Sequence, residues 1–329
     1  MTGAVLKQFQ AERAAGRMCP FDYRYDPSGF RRTPDLTADI LYVAGGLYGN
    51  LAALDDIEAM AAAESAPVTL VFNGDFHWFD AEPDWFGEIE RRVSGHFALR
   101  GNVETEIARD DDIGAGCGCA YPQSVGDDVV KHSNAILSDL RAIVARLPGA
   151  KARLPHLPMH RIAAVGPLRV CIVHGDAWSL AGWNFAHDAL DSEAKRGRLA
   201  SLRRETDIDI FASTHTCLAA LRTFNGPDGE LTVVNNGAAG MPNFTGSSFG
   251  LVTRIATTPS PHPALYGTTR HGVHIGALPV RYDQARFLSR FLARWSAGTA
   301  AHDSYIARIT NGPDYTMRQA APTATMAAL

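Results

Sequence analysis

Four short apolar runs in this chain each stop abruptly on a polar side chain: Val68-Thr-Leu-Val-Phe-Asn-Gly-Asp75, His96-Phe-Ala-Leu-Arg-Gly-Asn102, Leu168-Arg-Val-Cys-Ile-Val-His174 and Ile208-Asp-Ile-Phe-Ala-Ser-Thr-His215. Continuous runs of β-branched and large apolar residues fit strands buried on both faces. The closing residue then lies at the carboxyl end of its strand, the rim where ligands collect in open α/β sheets. One Asn-Gly-Asp is ordinary turn chemistry; repetition on four segments points to a shared site.

A fifth run, Ile40-Leu-Tyr-Val-Ala44, is followed by Gly45-Gly46 and then by Asn50, a good cap for a helix carrying Leu51, Leu54, Ile57 and Met60 on one face. This strand, turn and helix unit opens a doubly wound α/β arrangement. Helical spacing recurs over 128–147, 188–205 and 283–295, and a short helix is expected over 4–16. Hairpins are expected at 155–173 around Gly166-Pro167 and at 221–234 around Asn225-Gly-Pro-Asp-Gly, with more strands at 250–255, 264–268 and 273–280. Residues 320–329 read as a frayed tail.

If the strands share a sheet system, Asp75, Asn102, His174 and His215 converge. Mixed oxygen and nitrogen donors suit Mn, Fe, Zn or Co better than Mg or Ca. His77, two positions beyond Asp75, fits a replacement ligand or a proton donor near neutral pH, or else a packed ring among Phe76, Trp78 and Phe79. Asp176 fits a carboxylate supporting an imidazole, or a loop residue. Gly114-Ala-Gly-Cys117-Gly-Cys119 reads as a structural or lid loop, since a closed zinc site needs two further ligands.

In order and approximate spacing over residues 38–256, these motifs resemble the calcineurin-like metallophosphoesterase superfamily, with the best match to its small bacterial phosphodiesterase branch. That family reads Asp-x-His, Gly-Asp, Gly-Asn, His-Gly and Gly-His-Thr-His, each after a strand. Here the counterparts are Gly46-Leu-Tyr48, Gly74-Asp75, Gly101-Asn102-Val-Glu104, His174-Gly175 and Ala212-Ser-Thr-His215. Gly46, Tyr48 and Ser213 stand where three metal ligands belong. The resemblance implies a four-layer α/β/β/α sandwich over 37–282 with a helical insertion near 113–150, an N-terminal extension over 1–36, and a C-terminal helix and tail over 283–329. It also implies a divalent metal held by Asp75, Asn102, His174 and His215, one cation rather than two, with His77 and Asp176 as catalytic candidates. Glu104 orients its neighbours in this scheme. The activity implied is phosphatase or phosphodiesterase; the alternative is an inactive member of the fold that binds a phosphorylated ligand or a protein.

Composition narrows the partners. A net charge of −4 and a pI near 6.3 give no electrostatic reason to expect nucleic acid or an anionic membrane; the small phosphate ester as partner is what the resemblance implies. Five cysteines in 329 residues do not form a disulfide framework. No stretch approaches the roughly 20 apolar residues of a membrane span, and the first residues lack an apolar signal core, so a cytoplasmic location is expected.

Overall fold

The apolar runs are continuous because each strand is covered twice. In the computed structural model, which describes residues 14–326, the strands form two sheets. Most of the short helix expected over 4–16, and the last three residues of the tail, lie outside the described residues.

The strands in chain order are β1 (Leu36–Thr37), β2 (Ile40–Ala44), β3 (Val68–Asn73), β4 (Phe97–Leu99), β5 (His160–Val165), β6 (Leu168–Val173), β7 (Ile210–Ser213), β8 (Ala220–Gly226), β9 (Gly229–Asn235), β10 (Gly250–Ala256), β11 (Tyr266–Arg270), β12 (Val273–Val280) and β13 (Thr325–Met326). One sheet has the order β13-β11-β12-β10-β2-β3-β4, the other β1-β5-β6-β7-β9-β8. Within them β2, β3 and β4 run parallel, as do β6, β7 and β9. All six carboxyl ends therefore open toward the loops that carry the polar residues.

The period of two is hidden inside the apolar runs. Leu41, Val43 and Val71 point inward and meet Val170, Ile172 and Ile210 of the other sheet. Ile40, Tyr42, Leu70 and Phe72 point outward, under α1 (Leu51–Ala62) and α2 (Pro83–Val93). Cys171, Val173 and Phe211 do the same on the far face, beneath Leu199 and Leu202 of the helix Glu193–Thr206. The result is an α/β/β/α sandwich. Asn50 caps α1 as its sequence predicts, accepting from the Ala53 amide.

Three differences from the sequence reading have local causes. Pro155 and Pro158 keep residues 155–159 out of β5, which starts at His160. The region 188–205 is two helices, not one, the longer beginning at Glu193. Beyond the expected helix Gln284–Arg294, a further helix spans Ala300–Asn311. Among the described residues, no helix is long and apolar enough to cross a membrane.

Candidate metal centre

The loops at the carboxyl ends of β3, β4, β6 and β7 bring Asp75, Asn102, His174 and His215 to one point. His174 Nε2 lies 3.4 Å from Asp75 Oδ1, 3.1 Å from Asn102 Oδ1 and 3.2 Å from His215 Nδ1. Ligand atoms of Asp75, His174 and His215 all fall within 4.8 Å of one another, and all are buried.

Close backbone approach makes the glycines of Gly-Asp and Gly-Asn necessary. A Cβ on Gly74, which has φ +75°, would meet His174 Nδ1 and the Gly101 amide at 2.6 Å; one on Gly101 would meet Asp75 Oδ1 at 2.3 Å. Asp75 itself takes the left-handed conformation at φ +54°, a strained state for a non-glycine residue that surrounding contacts must hold. Those contacts include Glu104, whose Oε2 accepts the amides of Asp75 and Gly101, each at 2.8 Å. A single fully buried carboxylate thus pins the two loops that present Asp75 and Asn102.

Backbone carbonyls then set the ring and amide orientations. His174 Nδ1–H donates to Asn73 O at 2.8 Å, His215 Nε2–H to Cys119 O at 2.9 Å, and Asn102 Nδ2 to Cys117 O at 2.9 Å. With those atoms committed, the remaining lone pairs of both rings and of the amide face Asp75. Four electron-pair donors converging in a buried space repel one another unless a proton or a cation sits among them. Burial opposes charging of His174, yet Asp75 beside it raises its pKa; burial and then His174 push His215 down to about 4. Ligand atoms about 2.0–2.2 Å from a tetrahedral centre stand roughly 3.3–3.6 Å apart, close to the spacings seen here. The donor set therefore fits a divalent cation.

A second cation finds no support from the first motif. A side chain at 46 would need the volume taken by the Tyr48 ring, whose Cζ lies 2.2 Å from the position of a Gly46 Cβ, and Tyr48 OH is bonded to Cys217 Sγ at 2.6 Å. Ser213 Oγ is buried without a hydrogen-bond partner among the described residues.

The two catalytic candidates lie away from this point, in the positions of the alternatives given for them, a packed ring for His77 and a loop residue for Asp176. His77 is fully buried, stacked 3.6 Å from Phe86, with Nδ1 2.5 Å from Asp80 Oδ2 and Nε2 in an ion-pair contact 3.5 Å from Glu90. With both nitrogens facing carboxylates inside the core, it has no route to a substrate. Asp176 accepts the amides of Trp178, Ser179 and Asn184 and the Asn184 side chain, organising the loop after β6; it makes no hydrogen bond to His174. Cys117 and Cys119 are paired as a disulfide, a local link that the odd cysteine count did not foretell.

Asp80 and Glu90 raise His77 to about 9 against the opposing effect of burial. A folded-state value above the unfolded 6.5 contributes stability fully present below pH 6.5 and lost as pH rises through 9. The difference corresponds to about 3 kcal/mol. Urea unfolding of His77→Gln is therefore expected to show its largest deficit against the unmodified chain near pH 6 and a much smaller one near pH 9.5. A deficit independent of pH would mean the ring is held neutral.

Sequence reasoning missed the helix Ala300–Asn311, which brings Ser304, Tyr305 and Arg308 to a cavity of about 240 Å³ bordering Asp75, Asn102 and His215. Its signal was present but faint: Ala301, Tyr305 and Ile309 recur every four residues, and Gly312-Pro313 marks the stop.

No family model matches the sequence, and no curated protein matches it either. Among solved structures, the chain is similar to a hypothetical protein from Pyrococcus horikoshii, with a TM-score of 0.53, 14% identity, and 85% of this chain and 100% of the other covered. It is also similar to a metallophosphoesterase from Sphaerobacter thermophilus, with a TM-score of 0.51, 15% identity, and coverage of 83% and 100%. At these identities the likeness establishes the fold.

Proposed function

We propose that this chain, which has the calcineurin-like metallophosphoesterase fold, is a hydrolase of phosphate esters that works with one divalent cation. The observation that carries the reading is the convergence of Asp75, Asn102, His174 and His215 on one buried point with their lone pairs pre-aimed by backbone carbonyls. A cation held there supplies Lewis-acid polarisation of the phosphoryl group and acidifies the attacking water. The chain's own contribution is orientation: His174 and His215 offer one fixed nitrogen each, Asn102 a neutral oxygen, and Asp75 the charge. Burial opposes ionisation of Asp75, but His174, His215 and the Val103 amide together outweigh it and lower its pKa.

His77 does not line the cavity, and the proton-bearing groups that do, Tyr48, Tyr121, Tyr305 and Cys217, are made weaker acids by burial. Val103 follows Asn102 in the first turn of the helix Asn102–Ala108 and has no proton to give. Esters whose leaving groups depart as stable anions are therefore the expected substrates.

Elemental analysis and calorimetric titration with Mn are expected to give one bound cation per chain, with hydrolysis of generic phosphate esters dependent on it. No bound cation and no turnover with any divalent metal would remove this reading. It would favour a second, binding without hydrolysis, for which the Tyr48 ring in the place of a motif-one side chain is the supporting observation.

A further inference from the structure

The geometry points to small phosphate monoesters of a flat aromatic group as the ligands of the cavity, with Arg308 as the residue that grips the phosphate. This rests on the hydrolase reading for its chemistry, but its argument comes from the walls rather than from the metal centre.

Arg308 is half-buried at the cavity and is held there by carbonyls alone: Nη2 donates to Cys217 O at 2.7 Å and Nε to Pro242 O at 3.4 Å. Among the described residues no carboxylate lies within ion-pair reach of it, whereas Arg222, Arg254 and Arg270 each have one. Its charge thus remains uncompensated on the wall of a cavity that Asp75 and His215 also line. Guanidinium forks match phosphate oxygens two at a time.

Charge counting favours a monoester. Asp75 carries one negative charge, a divalent cation two positive ones and Arg308 one more, leaving two to be balanced; a monoester dianion balances them and a diester does not.

The remaining walls are aromatic. Trp183 packs edge-on to the ligand His215, with ring centroids 5.4 Å apart, and beside Tyr121 at 5.9 Å; Trp78 packs edge-on to Tyr305 at 6.4 Å. The polar tips of Trp183 and Tyr121 are committed to Cys119 O and Ser133 Oγ, so these two offer ring faces. The cavity of about 240 Å³ is smaller than the 300 Å³ or so at which pockets for drug-sized ligands begin. A phosphate and one ring fit that space better than a nucleotide does. An aryl oxide is also a leaving group that departs without a proton.

The test is calorimetric binding, with Mn present, of inorganic phosphate, methyl phosphate, phenyl phosphate and adenosine monophosphate. On the unmodified chain, phenyl phosphate is expected to bind about tenfold tighter than methyl phosphate, and tighter than the nucleotide. Trp183→Leu is expected to erase the phenyl advantage, bringing phenyl phosphate to the affinity of methyl phosphate in the same variant. Arg308→Met should weaken every phosphate ligand tenfold or more, with partial recovery in Arg308→Lys. Equal binding of phenyl and methyl phosphate by the unmodified chain, tighter nucleotide binding, or unaltered phosphate binding by Arg308→Met would each overturn the inference. The predicted binding order without turnover would overturn only the hydrolase reading; metal-dependent turnover without the order would overturn only this one.

Discussion

An Asp75→Asn variant is expected to lose divalent-metal affinity by at least about 100-fold and all metal-dependent turnover with it. Even residues that merely orient metal ligands cost about 10–100-fold when removed, and Asp75 is the sole charged member of the quartet. The substitution is close to isosteric. Its effect should therefore appear in metal titration while the far-ultraviolet circular dichroism stays unchanged. Retention of metal by Asp75→Asn would show that the cation, if one binds, sits elsewhere.

A Glu104→Leu variant should show the largest loss of stability, about 3–5 kcal/mol by urea unfolding. Glu104 is fully buried and accepts the amides of Asp75 and Gly101 at 2.8 Å and of His77 at 3.4 Å. Leucine leaves those buried donors without partners, at about 1–3 kcal/mol each. Glu104→Gln keeps one acceptor oxygen and should fall between. Because Asp75 is held at φ +54° partly by this contact, metal affinity should decline along the same series. A stability loss under about 1 kcal/mol in Glu104→Leu would mean the two loops hold themselves.

Much of this architecture was legible from the chain alone, for identifiable reasons. Runs such as Ile40–Ala44 and Val170–Val173 are apolar at every position because one side faces the opposing sheet and the other the helices, so they mark inner strands of a layered fold. The quartet was legible because a buried strand ending on Asp, Asn or His is chemically unusual, and four such endings are hard to reach by turn chemistry alone. Glu104 was read correctly as an orienting group from its place after Gly-Asn.

What stayed hidden was decided by packing. His77 looked catalytic from its distance in sequence to Asp75, but a left-handed residue at 75 turns the chain, and the ring goes into the core against Phe86. Asp176 looked like a support for His174, yet its oxygens serve the loop amides that follow it. The helix bearing Arg308 has a narrow apolar stripe built on Ala301 and Ile309. Its contribution to the cavity depends on a contact between residues 91 positions apart, Arg308 and Cys217, which no local pattern encodes.

The four donors are drawn from both sheets, Asp75 and Asn102 from one and His174 and His215 from the other. A chain that has formed only one sheet owns half a chelate. Any ion the quartet takes therefore recognises the fully assembled state and not its precursors, so it acts late in folding as a lock. By mass action, free metal at 100 times its dissociation constant would add about 2.7 kcal/mol against unfolding, and chelators would withdraw it.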